Sequence, residues 1–288
     1  MPEIEFDNSP RVRRIIQTVC DLVHRPLGEC RIVDLGCAHG GYALELARRG
    51  ATCLGIEGRA AWIEQAKAGK RSLQLSNVDF VQDDVRNFST EKYGSFDVVL
   101  CCGLLYHLNS PDLFEHLARI SEACSDLTVI DTQISLRPAV ETHWRGRTYW
   151  GCVFQEHVSG AEKRAKLASL GASLEDEQSF WLTRSSLLNA LRHVGFTSVA
   201  ECRNPVDNMY VQGEFRLHAD FITLVAMKGK PIGNFIGMSA RSEEEDWPEN
   251  TGDFYFRPPP SEEASITRPL SRATSVLRSI RLPWRSRT

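Results

Sequence analysis

The residues best placed to do chemistry lie in three short runs. The first is Asp34-Leu35-Gly36-Cys37-Ala38-His39-Gly40-Gly41, which follows the apolar Ile32-Val33 and leads into a helical stretch from Tyr42 to Arg49. A glycine-rich turn between a strand and a helix lets a ligand press against bare backbone at a helix N-terminus. The second is Glu57, about 20 residues further on, where a carboxylate can accept both hydroxyls of a ribose. The third is Gln82-Asp83-Asp84-Val85, where a carboxylate or its neighbouring amide can meet an adenine amino group. Alone, each run is a weak signal. Together they describe one nucleoside, provided that the strands preceding them are parallel neighbours.

The flanking pattern supplies those strands. Arg31 to Leu35, Thr52 to Glu57, Val78 to Gln82, Phe96 to Cys101 and Leu127 to Thr132 read as short buried strands. They alternate with helical stretches at Tyr42 to Arg49, Arg59 to Lys70 and Ser110 to Cys124. Such alternation predicts a doubly wound α/β fold, a parallel sheet with helices on both faces and the three runs at its carboxyl edge. Ser9-Pro10 followed by Val12, Ile15, Ile16, Val19, Leu22 and Val23 predicts an N-terminal lid helix over 9–24. Thr183 to His193 predicts a late helix. Thr197 to Cys202 and Ala219 to Met227 read as two last strands, joined too briefly for a helical crossover and therefore antiparallel. From 134 to 180 the alternation lapses into an irregular insertion, and from 230 to 288 a Pro-, Ser-, Glu- and Arg-rich tail is expected to be disordered.

The segments Val33-Asp34-Leu35-Gly36-Cys37-Ala38-His39-Gly40, Gly55-Ile56-Glu57, Asp83-Asp84-Val85 and Phe96-Asp97-Val98-Val99-Leu100 resemble, in order and spacing, the four signature segments of class I S-adenosylmethionine-dependent methyltransferases. The resemblance spans roughly residues 10 to 228. It implies a Rossmann-like, seven-stranded sheet of order 3-2-1-4-5-7-6 within a domain at 1–229, and S-adenosylmethionine as cofactor. The cofactor residues so implied are Asp34, Gly36, Cys37, Ala38, Gly40 and Tyr42 in the first turn and Glu57 and Gly58 after the second strand. Asp83, Asp84 and Val85 follow the third strand, and Cys102 and Gly103 the fourth. Ala38 stands where the family has its second glycine, a change tolerable with the backbone at negative φ. Gly36, Gly40 and Gly41 do not fit the GxGxxG of a dinucleotide site, and no GK[ST] supports a P-loop.

After the fourth strand, Cys102-Gly103-Leu104-Leu105-Tyr106-His107-Leu108 places a histidine where the family commonly sets one beside cofactor and acceptor. With an ordinary imidazole pKa of about 6.5, His107 could take a hydroxyl proton near neutrality. The alternative is a structural hydrogen bond or a cover for the adenine. In the insertion, His143-Trp144-Arg145-Gly146-Arg147-Thr148-Tyr149-Trp150 mixes cations with flat aromatic faces. His143, Arg145, Arg147, Tyr149 and Trp150, with Tyr106 and His107, are the candidates for gripping a small-molecule acceptor at oxygen or nitrogen. A satellite core filled by the same aromatics is the competing reading. Gly103-Leu104-Leu105-Tyr106-His107 with Asp131-Thr132 also resembles the wobble-uridine carboxymethyltransferases of tRNA. The net charge of −3 and the lack of a basic domain stand against a nucleic-acid partner. A non-catalytic, cofactor-binding relative is the third reading.

No basic-then-apolar leader opens the chain and no long apolar run crosses it, so a cytoplasmic protein without a transmembrane segment is expected. The nine cysteines are an odd count set in apolar runs, without CxxC or metal-ligand spacing, so no metal is expected. The stretch Ile266 to Thr288 interleaves arginines with Val276, Leu277, Ile280, Leu282 and Trp284. It could touch an anionic membrane surface, though a solvated terminus is the simpler expectation. No feature of the chain indicates its oligomeric state.

Overall fold

The computed structural model describes residues 10–202 and 221–229, together with Asp246 and Glu249. Ser9, the whole link at 203–220, which includes the first two residues of the expected last strand, and the tail from 230 apart from those two residues lie outside the described residues. The elements in chain order are α1 (Pro10–Leu22), β1 (Arg31–Leu35), α2 (Gly41–Arg48), β2 (Thr52–Glu57), α3 (Ala60–Ser72), β3 (Val78–Gln82), α4 (Thr90–Tyr93) and β4 (Phe96–Cys102). They continue as α5 (Asp112–Ala123), β5 (Cys124–Gln133), β6 (Val140–Trp144), β7 (Arg147–Gln155), α6 (Lys163–Ala168), β8 (Gln178–Leu182), α7 (Arg184–His193), β9 (Ser198–Cys202) and β10 (Phe221–Met227).

The main sheet has seven strands in the order β3-β2-β1-β4-β5-β10-β9. Setting the three insertion strands aside, this is the order 3-2-1-4-5-7-6 that the resemblance implies. β1 to β5 are parallel, and β10 runs antiparallel to both β5 and β9. β1 and β4 are almost wholly buried because helices cover both faces of the sheet, which is why Ile32-Val33 and Val98-Val99-Leu100 read as unbroken apolar runs. One face packs under α1, α2 and α3 through Ile15, Val19, Leu44, Leu46 and Ile63, and the other under α5 and α7 through Phe114, Leu117, Ile120 and Leu191. Each such side chain, fully buried, contributes about 2 kcal/mol relative to exposure. The register pairs Leu35 with Ile56, Glu57 with Gln82 and Asp34 with Leu100, so the carboxyl ends of β1 to β4 finish side by side.

The insertion departs from the expected irregular segment. β6, β7 and β8 form a separate three-stranded antiparallel sheet. Its first turn is the dipeptide Arg145-Gly146, with φ of 48° and 74°. Two positive φ values make the tight hairpin turn whose twist suits flanking strands, a role in which Asn-Gly or Asp-Gly would have been recognisable and Arg-Gly is not. Tyr149 is fully buried against Phe114, ring centroids 4.6 Å apart, and its hydroxyl meets His193 Nδ1 at 2.8 Å. Trp144 stacks on the same Phe114 and donates its Nε1–H to Glu115 at 2.7 Å. The small sheet is thus fastened to α5 and α7. Among the described residues no helix is long and apolar enough to cross a membrane.

Candidate functional site

At the joint carboxyl edge of β1 to β4 lies a recess of about 450 Å³, open to solvent. Gly36, Glu57, Gly58, Asp84, Val85, Leu104 and His107 line one side, and Ala172, Ser173, Leu174 and Asp176 from the connection between α6 and β8 close the other. The first turn is tied inward: the amides of Gly36 and Cys37 both donate to the Ile56 carbonyl, at 2.8 and 3.1 Å. Gly40 begins α2 with φ of 86°, and a Cβ there would lie 2.7 Å from the Phe80 ring, so this glycine is demanded by packing as well as by the turn. Cys37 is buried, its thiol pushed well above its ordinary pKa by burial and by the nearby Asp34 and Glu57 carboxylates.

Ala38 overturns the expectation of negative φ. Its φ is 46°, in the left-handed region, where an alanine is strained by roughly 1 kcal/mol. The compensation is visible: the Ala38 amide donates to Glu57 Oε2 at 3.2 Å. Glu57 is only 6% exposed, and its Oε1 accepts the Arg59 amide at 2.8 Å. A carboxylate has about four lone-pair positions, so two amides leave room for two hydroxyl donors.

Asp34 is 2% exposed. Burial, partly opposed by a hydrogen bond from the Ala43 amide, raises its pKa to about 7, and its Oδ2 has no hydrogen-bond partner among the described residues. Asp84 lines the recess, but its carboxylate is held by Arg86 Nε and Nη2, at 3.0 and 2.6 Å, and it caps the turn Val85–Asn87. Burial acts to raise its pKa and Arg86 more than offsets that.

Asp83, expected beside the cofactor, is turned away. Its carboxylate takes Lys92 Nζ at 2.6 Å, Tyr93 hydroxyl at 2.5 Å and Asn87 Nδ2 at 3.0 Å. Burial tends to raise its pKa, yet these donors bring it down to about 2. Asp83 thus fastens the loop to α4. Gly103, with φ of 80°, has only the Tyr106 hydroxyl near the position of a Cβ, at 3.8 Å, and the half-buried Cys102 precedes it. Tyr42 is half-buried in the first turn of α2.

Sequence reasoning did not single out Glu156 as a site residue. It is 2% exposed, and both its oxygens lie 3.0 Å from His107 Nδ1. Oε1 also accepts the Ser179 hydroxyl at 2.7 Å and Oε2 the Ser173 amide at 2.9 Å. Burial works to raise its pKa, and the hydrogen bonds from His107, Ser179 and Ser173 hold it below the ordinary value. No local motif announces this pairing, because 49 residues separate the partners. The Tyr106 ring lies 4.2 Å from that of His107 and 6.3 Å from that of Trp181, which stacks on Phe154 at 4.4 Å.

The turn residues expected to grip an acceptor are not brought to this recess. Arg145 stacks on Trp144 and faces Glu115, His143 meets the Thr148 hydroxyl, and Arg147 pairs with Asp246. β7 separates them from Glu156 by its nine residues, about 30 Å of extended chain. Tyr149 belongs to the packed interior, as the satellite-core reading required. Trp150, half-buried, offers its amide to Ser186 Oγ at 2.7 Å.

A sequence model of the family described as "Methyltransferase domain" matches residues 32–126. The chain carries a class I S-adenosylmethionine-dependent methyltransferase domain. Among curated relatives it is similar to the ubiquinone biosynthesis O-methyltransferase of Acinetobacter baylyi, 32% identical over 97 residues, or 34% of this chain and 38% of that protein. The chain thus matches well under half the length of this relative. Among solved structures it resembles the N-terminal domain of EvdMO1 in the presence of SAH and D-fucose, with a TM-score of 0.59 at 23% identity over 77% of this chain and 84% of that one. A putative S-adenosylmethionine-dependent methyltransferase from Listeria monocytogenes gives a TM-score of 0.53 at 16% identity, covering 76% and 98% of the two chains. Both structural likenesses are of fold.

The residues of this methyltransferase domain fit the family's cofactor. The unpartnered, buried Asp34 oxygen suits the cationic amino group of a methionine moiety, and the free lone pairs of Glu57 suit the ribose hydroxyls. Leu104 and Leu174 offer apolar faces within the same recess.

Proposed function

We propose that this protein transfers the methyl group of S-adenosylmethionine to a hydroxyl oxygen of a small, planar acceptor, with His107 as the base. The observation that carries the reading is the buried Glu156 carboxylate against His107 Nδ1. An ionised carboxylate only accepts, so the neutral imidazole must carry its proton on Nδ1 and present a lone pair on Nε2. His107 lines the recess, and among the described residues no hydrogen bond occupies Nε2. The cofactor supplies an electrophilic methyl on a positively charged sulfur, which leaves as a neutral thioether. Asp34 and Glu57 would orient it from its two ends, and Gly36 and Gly103 leave room for its backbone-facing side. His107 Nε2 accepts the proton of the acceptor hydroxyl as that oxygen attacks the methyl carbon. Such a base contributes about 10²- to 10⁴-fold.

A phenolic hydroxyl, with a pKa of about 10, is within reach of an imidazole base. Tyr106, Trp181 and Phe154 provide flat apolar faces beginning next to His107, which favours an aromatic acceptor. The Acinetobacter relative is an O-methyltransferase, which agrees with this choice.

The test is transfer of label from S-adenosylmethionine to a panel of phenols and catechols, with simple sugars, amines and bulk tRNA as competitors for the assignment. The expected result is an O-methylated aromatic product that falls at least about 100-fold in His107→Gln while affinity for S-adenosylhomocysteine is kept. Label on nitrogen, on sugar or on tRNA would overturn the acceptor class. Unimpaired turnover by His107→Gln would overturn the base.

A further inference from the structure

The strap of residues 172–176, which closes the recess, belongs to the insertion and not to the core that carries the signature segments. Several side chains fasten it. The Arg59 guanidinium donates to the carbonyls of Ser169 at 2.9 Å and Ala172 at 2.7 Å, with longer bonds to Leu167 and Ser173. Arg86 reaches Glu175 at 3.2 Å and Asp176 at 3.5 Å. Glu156 accepts the Ser173 amide, while His157 Nε2 meets the Ser173 carbonyl at 2.7 Å. Leu174 packs so closely on Gly58 that any Cβ there would collide with it. The strap therefore lies against Gly58 and lines the recess together with Glu57 and Val85, the residues set aside above for the nucleoside end of the cofactor.

These contacts form one unbroken chain across the recess. Glu57, with lone pairs open to a ribose, holds the Arg59 amide; Arg59 holds the strap; Ser173 of the strap holds Glu156; Glu156 holds His107. Glu156 does not itself line the recess. The charged and titratable groups that share the recess with His107 are Glu57, Arg59, Asp84, Arg86 and Asp176, with Tyr106 against its ring.

We propose that the strap senses the adenosine half of the cofactor and sets the base: Leu174 seats on the nucleoside, and Ser173, through Glu156, transmits that seating to the orientation of His107. Glu156 and Ser173 are positioning residues, and Leu174 is a determinant of nucleoside affinity. The proposal rests on the assignment of His107 and of the nucleoside end made above. By linkage the effect is reciprocal, and loosening Glu156 must weaken a ligand it never touches.

The test uses the full chain and S-adenosylhomocysteine, with affinity measured by calorimetry for the wild type, Leu174→Ala, Glu156→Gln and the double variant. Each single change is expected to weaken binding about fivefold and the double by no more than about tenfold, because both act on one element. Hydrogen exchange supplies a second readout that general loosening would not mimic. S-adenosylhomocysteine should slow exchange across 172–176 in the wild type, and Arg59→Ala should abolish that local slowing while protection of β1 and β4 is kept. Unchanged affinity in Glu156→Gln, fully multiplicative effects in the cycle, or strap protection indifferent to the ligand would overturn the proposal and leave the methyltransferase reading intact. Failure of the wild type to bind S-adenosylhomocysteine at all would overturn both.

Discussion

The cofactor half of the recess and the insertion that closes it are built on opposite logics. In the first, the candidate residues sit at the ends of parallel strands, a few positions from the apolar runs that place them: Asp34 on β1, Gly36 just after it, Glu57 on β2, Asp84 after β3. In the second, the residues that matter are drawn together across long separations. Glu156 reaches back to His107, and the carbonyls of 169–173 reach Arg59 more than 100 residues earlier. The contrast teaches that a strand edge can be read locally, whereas a closing segment acquires its role only from what it lands on.

The largest effect that would break this contrast is expected at Glu57. Glu57→Ala removes a carboxylate that would take two ribose hydroxyls and strands the strained Ala38 amide, so affinity for S-adenosylhomocysteine should fall about 100-fold by calorimetry. Next is Glu156→Ala, which leaves the Ser173 amide and Ser179 hydroxyl buried without their acceptor. Denaturant unfolding should show a loss of about 3 kcal/mol, and a loss below 0.5 kcal/mol would mean the strap is not anchored there.

Asp34→Asn probes the core side. Its carboxyl is raised to about 7 in the fold from an ordinary 3.8, so the folded state holds a proton that the unfolded chain gives up between those values. Stability of the ligand-free protein therefore declines as pH rises through that window and is lowest, and level, above it. The asparagine variant escapes the penalty and should be more stable by about 2 kcal/mol at pH 8, with little difference at pH 4.

Ala38→Gly relieves a left-handed alanine at some cost in chain entropy, for a net gain of about 0.5 kcal/mol in thermal unfolding. The smallest effect is expected at the hairpin turn. Arg145→Ala and Arg147→Ala should leave methyl transfer to any accepted phenol within about twofold, since surface ion pairs of this kind contribute roughly 0–1 kcal/mol and lie a strand's length from His107. A tenfold loss would return the acceptor site to the turn.

Much of the fold was legible because its signals are short-range. The apolar runs of β1 and β4, the helical spacing of α1 and the glycine turn each announce themselves within a dozen residues or fewer, and the sheet order follows from the family resemblance. Glu57, the carboxylate proposed for the nucleoside, was legible for the same reason. The insertion was not: its Arg-Gly turn carries none of the usual hairpin residues, and β7 mixes buried Tyr149 and Gly151 with exposed Val153 and Phe154. Asp83 and Asp84 show the limit within the site itself. Adjacent carboxylates are indistinguishable in sequence, and only the positions of Lys92, Tyr93 and Arg86 divide one into a loop fastener and the other into a wall of the recess.

By itself the sequence determined the parallel sheet and which carboxylates and glycines stand at its carboxyl edge, since burial periodicity and glycine placement are properties of neighbouring residues. Tertiary structure alone decided that Ala38 would be left-handed, that His107 would be held by Glu156, and that a segment of the insertion would close the recess. Those outcomes depend on hydrogen bonds between groups whose separation along the chain bears no relation to their separation in space.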